Sequence, residues 1–98
     1  MKEVLKVPQV FKVGSYVVYF WLNEGKPLEP VHVHVNMGIP SNDATKIWLT
    51  KTGKTLLCNN NSRIPANKLK IIMEVIEARH KDIAKKWIEK FGQISFYC

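Results

Sequence analysis

Two histidines one residue apart, in Val31-His32-Val33-His34-Val35, are the first residues in this chain with the type and spacing to do chemistry. Successive side chains of an extended strand point to opposite faces, so the two imidazoles share one side and the valines the other. A His pair so placed supports three kinds of chemistry. In the first, His32 or His34 deprotonates a ribose hydroxyl and Lys46, Lys51 or Arg63 stabilises the charge developing on phosphate, as a metal-independent ribonuclease requires. The second is metal ligation, since zinc and copper use the His-x-His spacing when a third ligand arrives from elsewhere. The third is recognition: rings and cations on one sheet surface can stack bases and neutralise phosphate. His32, His34, Lys46, Trp48, Lys51 and Arg63 are the candidates for that surface. Tyr19 and Trp21 would join them, or else Tyr16 and Phe20, depending on register.

Other catalytic patterns are missing from the sequence. It has no Gly-x-Ser-x-Gly elbow, no P-loop and no RNP-type signature, and Asp43 and Asp82 do not make a paired-carboxylate motif. The metal reading needs His80, the third histidine, which falls on the inward stripe of a helix. If the valines face that helix, His32 and His34 point away from it and the three cannot meet. If the histidines face it, a site of His32, His34 and His80 forms but an all-valine face is left uncovered. Alternation favours separation, so neither a metal nor any other cofactor is expected.

The elements that must position these residues follow from periodicity. Val10 to Val13, Gly14, then Tyr16 to Leu22 reads as strand, tight turn, strand, the second apolar on both faces and hence central. Asn23 to Pro27 has turn chemistry. Val31 to Val35 alternates, Gly38 to Asp43 is a loop, and Lys46 to Lys51 alternates with Ile47 and Leu49 opposite Lys46, Trp48 and Thr50. Thr52-Gly53-Lys54 predicts a hairpin turn into a short edge-like strand, Thr55 to Cys58. Asn59 to Arg63 is polar and looplike. From Pro65 the period changes: Leu69, Ile72, Met73, Ile76, His80, Ile83, Ala84, Trp87 and Phe91 form one amphipathic stripe that Gly92 stops. At 1.5 Å per residue that helix would span about 39 Å, long enough that a break between Ala78 and Lys81 is expected to be tolerated. Ile94 to Tyr97 reads equally as a last strand or an ordered tail.

Strands first and a long helix last predict an α+β fold. It is an antiparallel sheet of four to five strands followed by one long C-terminal helix that could be broken near His80. One helix layer covers one face, so the second must be covered by the termini, another subunit or a ligand. At 98 residues, 46% hydrophobic and 23% charged, residues 1–98 are expected to make a single domain with an ordinary core. Met1 to Val7 interleaves charges and lacks an uninterrupted signal-peptide core. The longest apolar run, Tyr16 to Leu22, is far short of the roughly 20 residues a membrane helix needs. Cys58 and Cys98 are too few for a disulfide framework and read as reduced thiols. A cytoplasmic protein that does not enter membranes is expected.

The net charge of +7 is unevenly placed. Up to Thr45 four lysines balance four acids, whereas from Lys46 onward eleven basic residues face only Glu74, Glu77, Asp82 and Glu89. Such a local basic surface attracts nucleic acid or another acidic partner, though Lys-rich helix faces also serve solubility.

Pro8-x-Val10, Gly14-x-Tyr16, the apolar strand through Phe20, the His-x-His strand, Ala44-x-Lys46-Ile47-Trp48-Leu49 and Trp87-x-x-x-Phe91-Gly92 together resemble a small prokaryotic family, domain of unknown function family 4160. The resemblance covers nearly the whole chain. Val31 stands where Pro often precedes the first histidine, with Pro30 one position earlier. It implies a short stand-alone protein of a two-gene, toxin–antitoxin-like module, and no catalytic residue carries over from it. The resulting expectation is a binding or interaction module, assembled as a homodimer, whose basic half meets nucleic acid or a co-encoded partner protein.

Overall fold

β-Branched and aromatic residues bunch between short turn-forming segments through the first part of the chain, and each bunch becomes a strand. The structure, a computed structural model, describes residues 9–22 and 27–98. Of the turn expected at Asn23 to Pro27, residues 23–26 lie outside the described residues, as do residues 1–8 with the stretch Met1 to Val7 and Pro8. The strands are β1 (Gln9–Val13), β2 (Tyr16–Tyr19), β3 (His32–Met37), β4 (Thr45–Leu49) and β5 (Thr55–Asn59), and two helices follow, α1 (Ala66–Ala78) and α2 (His80–Phe91). All five strands join in one antiparallel sheet in chain order, an α+β arrangement.

The core lies between one sheet face and the helices. Val18 of β2, Val33 and Val35 of β3, and Ile47 and Leu49 of β4 pack with Ile72 and Ile76 of α1 and Ile83 and Trp87 of α2. The valines therefore face the helices. The expected stripe is present, but the helix is interrupted at Arg79, which has φ −112° and ψ 21° and donates its N–H to the carbonyls of Val75 and Ile76. Strands of four to six residues are at most about 20 Å long, so a straight rod of this length would overrun the sheet; the break keeps Ile76 and Ile83 both buried. At the break the Arg79 guanidinium stands 4.6 Å from the centre of the Phe11 ring.

Two boundaries differ from expectation. β2 stops at Tyr19, opposite His34, although the apolar run continues to Leu22. Phe20 leaves the ladder because its ring packs on Trp87 at 5.1 Å and Phe91 at 5.7 Å. Residues 94–98 form no strand. They make an ordered tail in which Val31 N–H donates to Ser95 O (2.9 Å) and Lys51 N–H to Cys98 O (3.1 Å). No helix among the described residues is long and apolar enough to cross a membrane, and both cysteines are exposed free thiols.

The β4–β5 turn closes as the sequence predicts. Gly53 N–H donates to Thr50 O (3.0 Å) and Thr50 N–H to Lys54 O (2.9 Å), with Gly53 at φ 85°. A short loop of this kind needs the left-handed conformation that glycine adopts without strain. Space also requires glycine, because a Cβ there would lie 2.7 Å from Nε2 of His80. Gly53→Ala should therefore lower stability by about 1–3 kcal/mol from backbone strain, with a further loss from the clash. In urea denaturation the double variant Gly53→Ala/His80→Ala should recover only the steric part; a neutral single substitution would contradict this packing.

Candidate functional site on the histidine face

The register places Tyr19, His34, Lys46 and Asn59 in one row across β2, β3, β4 and β5. His32 and Trp48 pair in the neighbouring row. Four of the expected binding residues, His32, His34, Lys46 and Trp48, thus share the sheet face away from the valines. Tyr19 and Trp21 join this face, while Tyr16 and Phe20 belong to the core under the helices.

His32 is buried, with 1% exposure. Its Nδ1 donates to Pro30 O at 2.9 Å, which puts the proton on Nδ1 because a carbonyl only accepts. Its ring meets His34 at 5.0 Å, Trp48 at 5.5 Å and Trp87 at 5.3 Å. The contact with Trp87 departs from the expected clean division of faces. Where Phe20 and Trp21 leave the β2–β3 ladder the strands no longer seal the sheet, and an α2 side chain reaches a residue of the far face. His34 is half-buried, stacked on Tyr19 at 5.6 Å and 30°. Across from it, Lys46 donates to Glu29 and lies 4.4 Å from the centre of the Trp48 ring.

Two segments cover this face. Tyr19 is fully buried, and its hydroxyl accepts from Ser41 N–H and donates to Ser41 O, both at 3.0 Å. Burial pushes the Tyr19 hydroxyl pKa up, while the bond with the Ser41 backbone pulls it down. The loop between β3 and β4 is so clamped over Tyr19, with Val17 and Ala44 beside it. At the other side the tail lays Tyr97 parallel on Trp48, centroids 4.7 Å apart and planes 6° apart. The expectation that termini or another cover must close the second face is met partly by this loop and partly by this tail.

Lys51 and Arg63 do not join the histidine face. Lys51 follows β4 in the turn and Arg63 follows β5, so the two occupy opposite ends of the hairpin. The six expected binding residues therefore do not make one surface; period-two reasoning assigned faces but could not place residues lying beyond strand ends. Arg63, at φ 59°, belongs to a polar plug. There Thr45 Oγ1 bonds Asn60 Oδ1 (2.7 Å) and Ser62 Oγ (2.6 Å), and Asn60 also holds both backbone groups of Ile64. His80 is elsewhere, bonded through Nδ1 to Glu77 O (2.8 Å) and set against Gly53. Among the described residues no group of three His, Cys, Asp or Glu could hold a metal ion.

Glu29, Ser41 and Tyr97 were not legible as partners of this face. Each acts from a segment without periodicity, and only the apolar excess of the sheet signalled that some cover was required. Tyr19→Phe should cost about 1 kcal/mol and should speed amide hydrogen exchange at Ser41, because both Ser41 backbone groups lose their hydroxyl partner. Unchanged exchange at Ser41 would refute the clamp.

A family model for a domain of unknown function (DUF4160) matches residues 15–88. That span holds His32, His34, Lys46 and Trp48 and excludes β1 and Tyr97. No curated protein and no solved structure matches the chain.

Proposed function

The chain belongs to the DUF4160 family, and from there we propose that it is a nucleic-acid-binding module of the cytoplasm, one member of a toxin–antitoxin-like pair with a co-encoded partner protein. The observation that carries the binding reading is the basic end of the molecule. Lys51 and Lys54 flank Gly53, against which His80 packs, so Lys81, next in α2, stands at the same end; all three lysines are exposed. Glu77, an acid near Lys54 at this end, is engaged with Thr55 through both its hydroxyl (2.7 Å) and its N–H (2.9 Å). Those bonds, with Lys54 nearby, hold the Glu77 carboxyl below its ordinary pKa. Clustered ammonium groups beside a committed carboxylate suit a phosphate backbone. The histidine face supports the reading less, because Tyr97 and the Ser41 loop already lie on its rings.

The triple variant Lys51→Glu/Lys54→Glu/Lys81→Glu should weaken binding to a single-stranded oligonucleotide. Its slope of log K against log salt should fall by roughly 0.7 for each phosphate that the variant no longer neutralises. Binding by the wild-type chain that ignores salt would refute the proposal. For the paired role, growth arrest on expressing one partner and relief on expressing both is the expected outcome; growth unaffected by either removes it.

One observation favours a second reading, metal-independent RNA cleavage: His34 stands directly across from Lys46 on the neighbouring strand, a base beside a cation. His34→Ala would then abolish cleavage products while leaving oligonucleotide binding in place. RNA left intact after long incubation with pure protein rules this reading out.

A further inference from the structure

Among the described residues Tyr97 is the one exposed tyrosine, phenylalanine or tryptophan, with 58% of its surface open. One face of its ring lies parallel on Trp48, centroids 4.7 Å and planes 6° apart, so the open area belongs to the opposite face and the ring edge. A tyrosine at the end of a tail would ordinarily turn freely, but this one is fixed by its chain neighbours. Ile94 and Phe96 are half-buried against the core, whereas Ser95 and Tyr97 are exposed. Before the ring, Ser95 O accepts from Val31 N–H (2.9 Å); after it, Cys98 O accepts from Lys51 N–H (3.1 Å). The ring is thus held in place before anything meets it, which lowers the ordering cost of binding.

The bond to Cys98 also sets the ring beside cations. Lys51 is exposed, and the bond from Thr50 N–H to Lys54 O (2.9 Å) brings Lys54, exposed as well, across the turn. An aromatic face next to ammonium groups is the combination that single-strand binding surfaces use, ring for base and ammonium for phosphate. We propose that the outer face of Tyr97 is a stacking platform for one unpaired base of a single-stranded nucleic acid, whose flanking phosphates meet Lys51 and Lys54. Resting on the nucleic-acid reading of the basic end, the platform adds to it the kind of nucleic acid. Within a duplex the faces of each base are covered by its neighbours, so only an unpaired base can lie flat on the ring. Every base has a π-face, so the contact selects single strands without selecting sequence. Tyr97 stays on Trp48 in the complex, giving a stack of base, phenol and indole.

Fluorescence anisotropy of the full chain with a labelled oligothymidylate, an abasic strand of equal length and a duplex tests the platform. The oligothymidylate should bind about tenfold more tightly than the abasic strand, within the range for one stacked base, and more tightly than the duplex. That comparison uses the wild-type chain and needs no variant to fold. Tyr97→Ala should erase the difference and leave the salt slope unchanged, because the ammonium groups remain, and Tyr97→Phe should keep it. Equal, salt-sensitive binding of the oligothymidylate and the abasic strand overturns the platform while the basic end still stands. Binding that ignores salt overturns the basic-end reading and the phosphate contacts with it. Tighter binding by Tyr97→Ala overturns the platform too, since a base would then be taking the place of the phenol on Trp48.

Discussion

Trp87 is the side chain around which the two faces of the sheet are organised. Fully buried, it meets Phe20 and Phe91 on the helix side and His32 from the far side. Large aromatic rings contribute heavily to core stability through the area they bury. Here the ring also fixes where β2 and β3 part, because Phe20 turns to meet it instead of continuing the ladder. The indole Nε1 is the one buried side-chain polar atom among the described residues without a hydrogen-bond partner. Leaving such a donor unmade costs about 1–3 kcal/mol, a penalty that the apolar contacts of the ring must exceed for this arrangement to hold.

The histidine face follows from that geometry. With His32 drawn into the interior and its proton engaged by Pro30, only His34 keeps access to the surface, between Tyr19 and Lys46. Lys46 is in turn held by Glu29 and Trp48 lies under Tyr97. Residue types suited to catalysis or base stacking are here largely engaged with one another. Lys51 and Lys54 are exposed at the hairpin end, outside this face.

Much of this was legible in the residues. Valine and histidine alternation assigned two faces correctly, the Thr-Gly-Lys turn closed where glycine predicted, and the helical stripe named Ile72, Ile76, Ile83 and Trp87 as inward. Choosing between Tyr19 and Tyr16 for the far face was not legible, because a strand apolar on both sides carries no phase of its own. The same holds for the end of β2, which depends on a tryptophan distant in sequence. The tail was undecidable between strand and coil, since its bonds to Val31 and Lys51 are made singly and not as a ladder.

The meander and the tail also differ in how far along the chain their contacts reach. Every strand pairs with its sequence neighbour, so the sheet is built from short loop closures of the kind that form early in folding. The bond from Val31 to Ser95 and the stack of Tyr97 on Trp48 close loops spanning much of the molecule. Those two long closures cost more chain entropy than the hairpins do, and each is a single contact, one backbone bond at Val31 and one ring stack at Trp48. The stack of Tyr97 shields one face of the Trp48 indole, so release of the tail alone would give the molecule a more aromatic surface.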